Sequence, residues 1–466
     1  MKHNLRLYGL LMLPLLLVAP PVLAQMLPAD PASPLAPRPV TRDPLCEAPF
    51  EAILKMGGPH LEYPTVWDVV YRKGNNVMDL FDGVPLGPEN VLVVGRDLKK
   101  SKGGKFDIIL SEINSRGRII AENIYAPKGV EEPRFLGRVK GGFVLVSDLQ
   151  DKNQVRLSLY DAKRKYKSEK IIADPRYNYS SGAYAPINNG TDGFVVAVNA
   201  ESRQDDKDKY GILFRFSADG KQLWRRHYTQ GVANRIRGLS PLENGSIIAT
   251  GQVEADNGTM AGWILALGSS GEIMWQRSYA RGAEATLKSV VAGERGYFVI
   301  GDAQPGNGEP LALWMMAVNN LGEPQWQRYY RRNNTGFSAV KMTRTNDGRF
   351  AVTVNALAPK GSGGRDHVRL LTLSARGAVI DDEAYINGVS AMARNSIVSP
   401  EGARVVFSTT TTDSKPLKTE IIDNHLVIVE EPDVDDGKPR AHQGWIFLGA
   451  PLPEKYNDPC LVKASP

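Results

Sequence analysis

The stretch 211–231, GILFRFSADGKQLWRRHYTQG, constrains the chain more than any other, because it returns twice almost in register. An apolar run (Ile212, Leu213, Phe214) enters an Asp219-Gly220 turn and leaves it as Trp224-x-Arg226-x-Tyr228. The same second half recurs as Trp275, Arg277, Tyr279 and as Trp326, Arg328, Tyr330, with the tryptophans 51 residues apart each time. A fixed period of about 50 residues marks an array in which each repeat is one supersecondary unit, stacked on its neighbours because it cannot bury its apolar faces alone.

A second strand repeats more widely. Runs of β-branched and aromatic residues begin at Asn90, Gly142, Gly193, Gly245, Gly296, Gly348 and Gly402, at intervals of 52, 51, 52, 51, 52 and 54. Short runs of this kind, bounded by Gly and Asn/Asp turns and without helical periodicity between them, predict an all-β chain. Their near-continuous apolarity fits sheets buried on both faces, so the expectation is a seven-bladed β-propeller of four-stranded antiparallel blades.

The last unit lacks a fourth strand in sequence order. The N-terminal stretch 50–56 overlays Trp224-x-Arg226-x-Tyr228 with Gly57 in step with Gly231, which predicts that it completes the last blade and closes the ring. Cys46 and Cys460, the two cysteines, then flank that seam. In an oxidising compartment they are expected to form a disulfide, and closing so long a loop is worth about 4–5 kcal/mol on a chain-entropy model.

Residues 1–24 read as a secretory signal peptide: Lys2 and Arg6 form a basic start, 10–18 an apolar core, and Val22-Leu23-Ala24 a small-residue cleavage site. Residues 25–45 form a proline-rich linker, and 46–466 the propeller, with insertions near 58–88 and 411–443. No cysteine follows the cleavage site to carry a lipid, and no later run is long enough for a membrane helix. The expected location is periplasmic or secreted. Loss of Lys2 and Arg6 takes the formal charge from +6 to +4, and the lysine clusters at 99–105 and 163–170 flank turns. Solvated loops account for them, and nucleic acid is not an expected partner.

The pattern Gly220-Lys221-Gln222-Leu223-Trp224, with the Gly-led second strand, resembles secreted bacterial β-propeller repeat proteins and is similar to the quinoprotein-like and WD40-like propeller superfamily. The resemblance implies blade architecture and carries no activity with it. Trp67-Asp68, the one Trp-Asp pair, lies outside the repeat register, and the adjacent cysteine pair of some quinoprotein dehydrogenases is missing. No cofactor is expected.

Trp, Arg and Tyr of each Trp-x-Arg-x-Tyr share a strand face, since side chains alternate with a period of two. They read as structural packing on the outer strands, with arginine stacked on the aromatics, the alternative being a partner surface. His60, His227, His367, His425 and His442 stand at no metal-ligand spacing, and the acidic stretch 430–437 departs from a calcium loop in the placement of its glycine and the lack of a distant Glu. No metal is expected.

Departures from the repeat point to function. Insertions at adjacent blades, one of them a hairpin around Asp423-Asn424, suggest an exported non-enzymatic scaffold that engages a protein or glycan partner through loops on one face, monomeric outside such a complex. The expected binding residues are Tyr63, Trp67, His425, Asp433, Asp435 and Asp436. The alternative is a propeller enzyme (quinoprotein-like oxidoreductase, hydrolase or lyase) using the central channel, for which Arg235, Arg237, Lys288, Lys341 and Arg394 lie in inner strands. A third reading is a structural part of a larger envelope assembly.

Overall fold

The computed structural model describes residues 50–56, 63–71, 77–87, 89–98, 107–126, 129–205, 208–280, 282–332, 334–359, 362, 364–388, 390–398, 403–411, 419–422, 425–428 and 442–452. Among these the chain is mostly strand. Two strands, β1 (Glu51–Lys55) and β2 (Trp67–Tyr71), precede a series of four-stranded antiparallel meanders. These are β3 to β6 (Val77–Pro85, Asn90–Leu98, Asp107–Asn114, Ile119–Tyr125) and β7 to β10 (Glu131–Val139, Gly142–Leu149, Gln154–Asp161, Tyr166–Ile172). Next come β11 to β14 (Tyr177–Pro186, Phe194–Ser202, Lys209–Phe216, Gln222–Tyr228) and β15 to β18 (Ala233–Pro241, Ile247–Glu254, Met260–Leu267, Ile273–Tyr279). Then follow β19 to β22 (Glu284–Gly293, Gly296–Gln304, Ala312–Asn319, Pro324–Arg331) and β23 to β26 (Gly336–Arg344, Phe350–Leu357, His367–Leu373, Val379–Tyr385), and single parallel bridges, Lys209↔Ala233 and Met260↔Glu284, link the meanders β11–β14, β15–β18 and β19–β22 at their edges. The last sheet takes β27 (Ser390–Val398), β28 (Arg404–Thr411) and β31 (His442–Leu448), with a separate hairpin, β29 (Thr419–Ile422) and β30 (His425–Ile428), between β28 and β31 in sequence.

Each apolar core lies between two successive sheets. Ile212 and Phe214 of β13 share one with Val144 and Val146 of β8, while Leu213 shares the next with Trp263 and Leu265 of β17. Neighbouring side chains on one strand therefore serve two different cores, which is why the middles of these strands are apolar without alternation. The last sheet packs on the first in the same way: Val405, Phe407 and Ile446 join Leu80, Val93 and Ile109. The first strands of the meanders contact one another in succession, and β27 contacts β3. Sheets stacked radially around their inner strands define a β-propeller.

The structure corrects the expected seam. The outer strand of the last sheet is β2, paired antiparallel with β31 from Trp67↔Leu448 to Tyr71↔Gly444. The stretch 50–56 instead adds β1 parallel to the outer edge of β22, with Phe50 carbonyl accepting from Gln327 N–H at 2.7 Å and Met56 N–H donating to Arg331 carbonyl at 3.0 Å. The physical reason lies in the turn that each outer strand grips. Trp224 Nε1 donates to Ser269 carbonyl at 3.0 Å, Arg226 Nε to Ser270 at 3.2 Å and Tyr228 hydroxyl to Gly271 at 2.9 Å, all in the third-to-fourth strand turn of the next sheet.

Arg277 and Tyr279 grip Leu321 and Gly322 in the same manner, and Tyr330 hydroxyl reaches Gly377 carbonyl at 2.6 Å. Each turn glycine has φ near +80°, and a Cβ on Gly271 would lie 2.9 Å from the Trp224 ring, so the grip needs glycine on one side and tryptophan on the other. Trp67 meets Gly117 (φ +73°) of the first sheet in this way, at 2.8 Å from a built Cβ. Phe50, which the overlay with Gly231 set in the tryptophan position, is instead exposed beside β22. The outer strand of the last sheet thus carries its own mark, Trp67 followed by Tyr71 at the spacing of Trp224 and Tyr228.

Candidate functional site: a cationic central cavity

Each inner strand slips register once against the second strand, at equivalent positions. The residues skipped are Phe81, Arg134, Gly182, Arg237, Lys288, Val340 and Arg394. A β-bulge leaves its extra residue out of the ladder and re-aims the side chains beside it. Four of the skipped residues are cations, and the bulges set them around one central cavity.

The bulges are fixed by side chains of the preceding sheet. Asp148 accepts from the Ser181 N–H at 2.8 Å and hydroxyl at 2.7 Å, and Asn199 accepts from Ile236 N–H at 2.9 Å while donating to its carbonyl at 3.2 Å. Asp302 accepts from Ala339 N–H at 2.7 Å, and Asn355 bonds both backbone groups of Ala393 at 2.8 and 2.9 Å. Ser181, Ile236, Ala339 and Ala393 each stand directly before a bulge. Burial pushes the Asp148 and Asp302 carboxyls up from their ordinary range, against the pull of Arg134 and Lys288 beside them. These polar residues therefore clasp one sheet to the next.

The cavity measures about 870 Å³ and is lined by the middles of all the inner strands, by several of them further toward their C-terminal ends, and by Lys140, Asn189 and Thr191 of the connections that follow. Arg134, Arg237, Lys288, Lys341 and Arg394 line its belt, and Arg138 and Lys140 lie further along the inner strand β7 and just after it. Asp82 is the lining carboxylate among the described residues. Arg134 pairs with Asp148 at 2.8 Å and Glu132 at 3.2 Å, and Lys288 pairs with Asp302 and donates to Ser338 Oγ at 2.9 Å. The Arg394 guanidinium lies over the Phe81 ring at 5.7 Å, and its buried Nε has no hydrogen-bond partner among the described residues.

Asp82 follows the first bulge. Its Oδ2 accepts from Leu136 N–H at 2.8 Å, and its Oδ1 from Gly83 N–H at 2.8 Å and Asn395 Nδ2 at 2.6 Å, so it ties three sheets together. Burial pushes its pKa up to about 6, opposed by the Leu136 and Gly83 N–H groups, the Lys341 ammonium and Asn395. Burial also lowers the Lys341 and Arg394 values. The arrangement can hold negative charge on a ligand, since the lining carries more cations than carboxylates and low-dielectric walls focus such a field.

Of the inner-strand cations singled out in the sequence, Arg237, Lys288, Lys341 and Arg394 line the cavity, whereas Arg235 sits one sheet-face away and meets Glu201 at 3.5 Å. Sequence reasoning missed Asp82, Arg134, Arg138 and Lys140. No residue type announces a bulge, so the pattern that could have found them is the recurrence of a cation near mid-strand in unit after unit.

The expected binding residues lie elsewhere. Trp67 is in the outer strand β2 over Gly117, and its neighbour Asp68 accepts from Trp445 Nε1 at 3.0 Å. Tyr63 packs beside Tyr385, ring centroids 6.3 Å apart, and its N–H donates to Ala384 carbonyl at 2.9 Å. His425 begins β30. Asp433, Asp435, Asp436, Cys46 and Cys460 lie outside the described residues. No three His, Cys, Asp or Glu side chains among the described residues gather as a metal site, and no helix there is long and apolar enough to cross a membrane.

No family model and no curated protein matches the chain. Solved structures similar to it include the Pan2 WD40 domain of Neurospora crassa, 10% identical over 85% of this chain and 99% of that one, with a TM-score of 0.42. The β-propeller domain of the Trilobed protease from Pyrococcus furiosus is 12% identical over 83% and 98%, with a TM-score of 0.44. Drosophila Semaphorin 2a is 9% identical over 75% of each chain, with a TM-score of 0.45. At such identities the likeness is one of fold.

Proposed function

We propose that the chain is a seven-bladed β-propeller, its ring closed through Trp67–Tyr71, that is exported to the periplasm or beyond and works as a binding scaffold for a protein or glycan partner. The observation that carries this reading is the β29–β30 hairpin. In the other sheets the second and third strands are joined closely, as Glu254 to Met260, whereas Thr411 and His442 of the last sheet are separated by a segment with strand pairing of its own. A segment of that length on a rigid ring is where contacts to a partner are placed. Tyr63 and Trp67 belong to the same seam region, and His425, Asp433, Asp435 and Asp436 to the segment itself.

The experiment is cross-linking and capture from the native envelope with the mature chain beside a version lacking residues 412–441. A partner held by the full chain and lost by the shortened one, with the strand circular dichroism of both alike, is the expected result. Equal capture by both would remove the segment from the reading. The second reading, an enzyme working in the channel, is favoured by Asp82, a cavity carboxyl titrating near pH 6 beside Lys341. A turnover abolished by Asp82→Asn would support it.

A further inference from the structure

We propose that the central cavity binds a small amphipathic organic anion, its carboxylate or phosphate head held by the cations of the bulge belt and its apolar body lying against the strand ends beyond. This site lies toward the ends of the inner strands away from the β28–β31 connection, so it goes beyond the partner reading and stands without it.

Three observations carry it. The first is charge: seven cations line the cavity, and among the described residues Asp82 is the carboxylate that lines it with them, while Glu132, Asp148 and Asp302 pair with Arg134 and Lys288 outside the lining. Low-dielectric walls concentrate such a field on whatever enters. The second is convergence, since the belt cations come from five different inner strands and are aimed by bulges that the preceding sheets hold in place.

Arg394 is the sharpest of them, with a buried Nε that lacks a hydrogen-bond acceptor among the described residues. A guanidinium offers a planar fork that suits a carboxylate or phosphate. The third is the wall past the belt, where Val84, Val139, Leu239, Val290 and Ile397 add apolar surface beside Arg138 and Lys140. A volume of about 870 Å³ lies within the range of small-molecule sites. An inorganic ion would satisfy the belt and leave that wall unused.

The test is calorimetric titration of the mature full-length protein with hexyl phosphate, hexanoate, hexanol and inorganic phosphate, in wild type and in Arg394→Gln. The expected result is one site that prefers the two amphipathic anions to hexanol and to inorganic phosphate, with the stronger of the two naming the head group. Arg394→Gln should weaken that binding about tenfold, the loss of one charge-assisted contact, and leave hexanol unchanged. Lys341→Gln is the second variant, used if Arg394→Gln does not fold. Hexanol binding as tightly as either anion, anion binding that both folded variants retain in full, or no anion binding at millimolar concentration would overturn the proposal.

Discussion

Replacing Glu383 by alanine is expected to destabilise the fold by about 3–5 kcal/mol, the cost of leaving a buried charge without its partner. Glu383 occupies, in β26, the place that Arg226, Arg277 and Arg328 hold in other outer strands. There the charge is reversed, and its partner is Arg404 of the next sheet. The pair is bidentate, Arg404 Nη2 to Oε1 at 2.6 Å and to Oε2 at 2.7 Å, with both side chains about 3% exposed or less. Tyr385 hydroxyl donates to the same carboxylate at 2.6 Å and accepts from Ala450 N–H at 2.8 Å, keeping the grip on the following turn. Burial pushes the Glu383 carboxyl up while Arg404 pulls it down, so the pair balances desolvation against attraction. Urea titration of Glu383→Ala and of Glu383→Leu with Arg404→Met separates the two contributions. The double variant should regain most of the loss, because an apolar pair of similar volume leaves no buried charge. A loss below about 1 kcal/mol in the single variant would mean that the pair is solvated.

Asp82 gives the second large effect, and it depends on pH. Its folded pKa of about 6 stands above the ordinary carboxylate value of 3.8, so the folded state binds the proton more tightly than the unfolded one. The stabilisation this linkage supplies is complete below pH 3.8 and is lost as pH rises through 6. The shift corresponds to about 3 kcal/mol between acid and neutral pH. Asp148, Asp302 and Glu131 shift in the same direction, so the contribution of Asp82 is read as the difference in stability between wild type and Asp82→Asn across pH 4 to 7.5. That difference should fall with rising pH by about this amount. A flat difference would show that Asp82 titrates as an ordinary carboxyl.

The sequence made the sheets legible because their marks are local. Gly142, Gly193, Gly245 and Gly296 open second strands whose unbroken apolar runs follow from burial on two faces, and the Trp-x-Arg-x-Tyr strands grip the next turn as packing residues. The seam is ambiguous in sequence because two stretches match the outer strand: Gly57 aligns with Gly231, whereas Trp67 and Tyr71 carry the spacing of Trp224 and Tyr228, and it is Trp67 that meets Gly117. The cavity was half legible. Arg237, Lys288, Lys341 and Arg394 could be assigned to inner strands, yet strict alternation cannot tell Arg235 from Arg237, and it is the bulge after Ile236 that separates them. Asp82 could not be told from its neighbour Asp79, which pairs with Arg96 at 3.1 Å.

The closed ring is the claim on which cavity and partner face both depend, and its seam can be tested by shortening the chain from the N-terminus. Thermal unfolding, under reducing conditions throughout, would compare a chain beginning at residue 25 with versions further lacking residues 25–62 and 25–76. The first removes β1 from the edge of β22 and keeps β2, so its melting point should fall only slightly. The second removes the outer strand of the last sheet and the Trp67 grip on Gly117, and should no longer unfold in one cooperative transition. A collapse already complete on removal of residues 25–62, with nothing further lost on removal to 76, would contradict the account and return the closing role to the stretch 50–56.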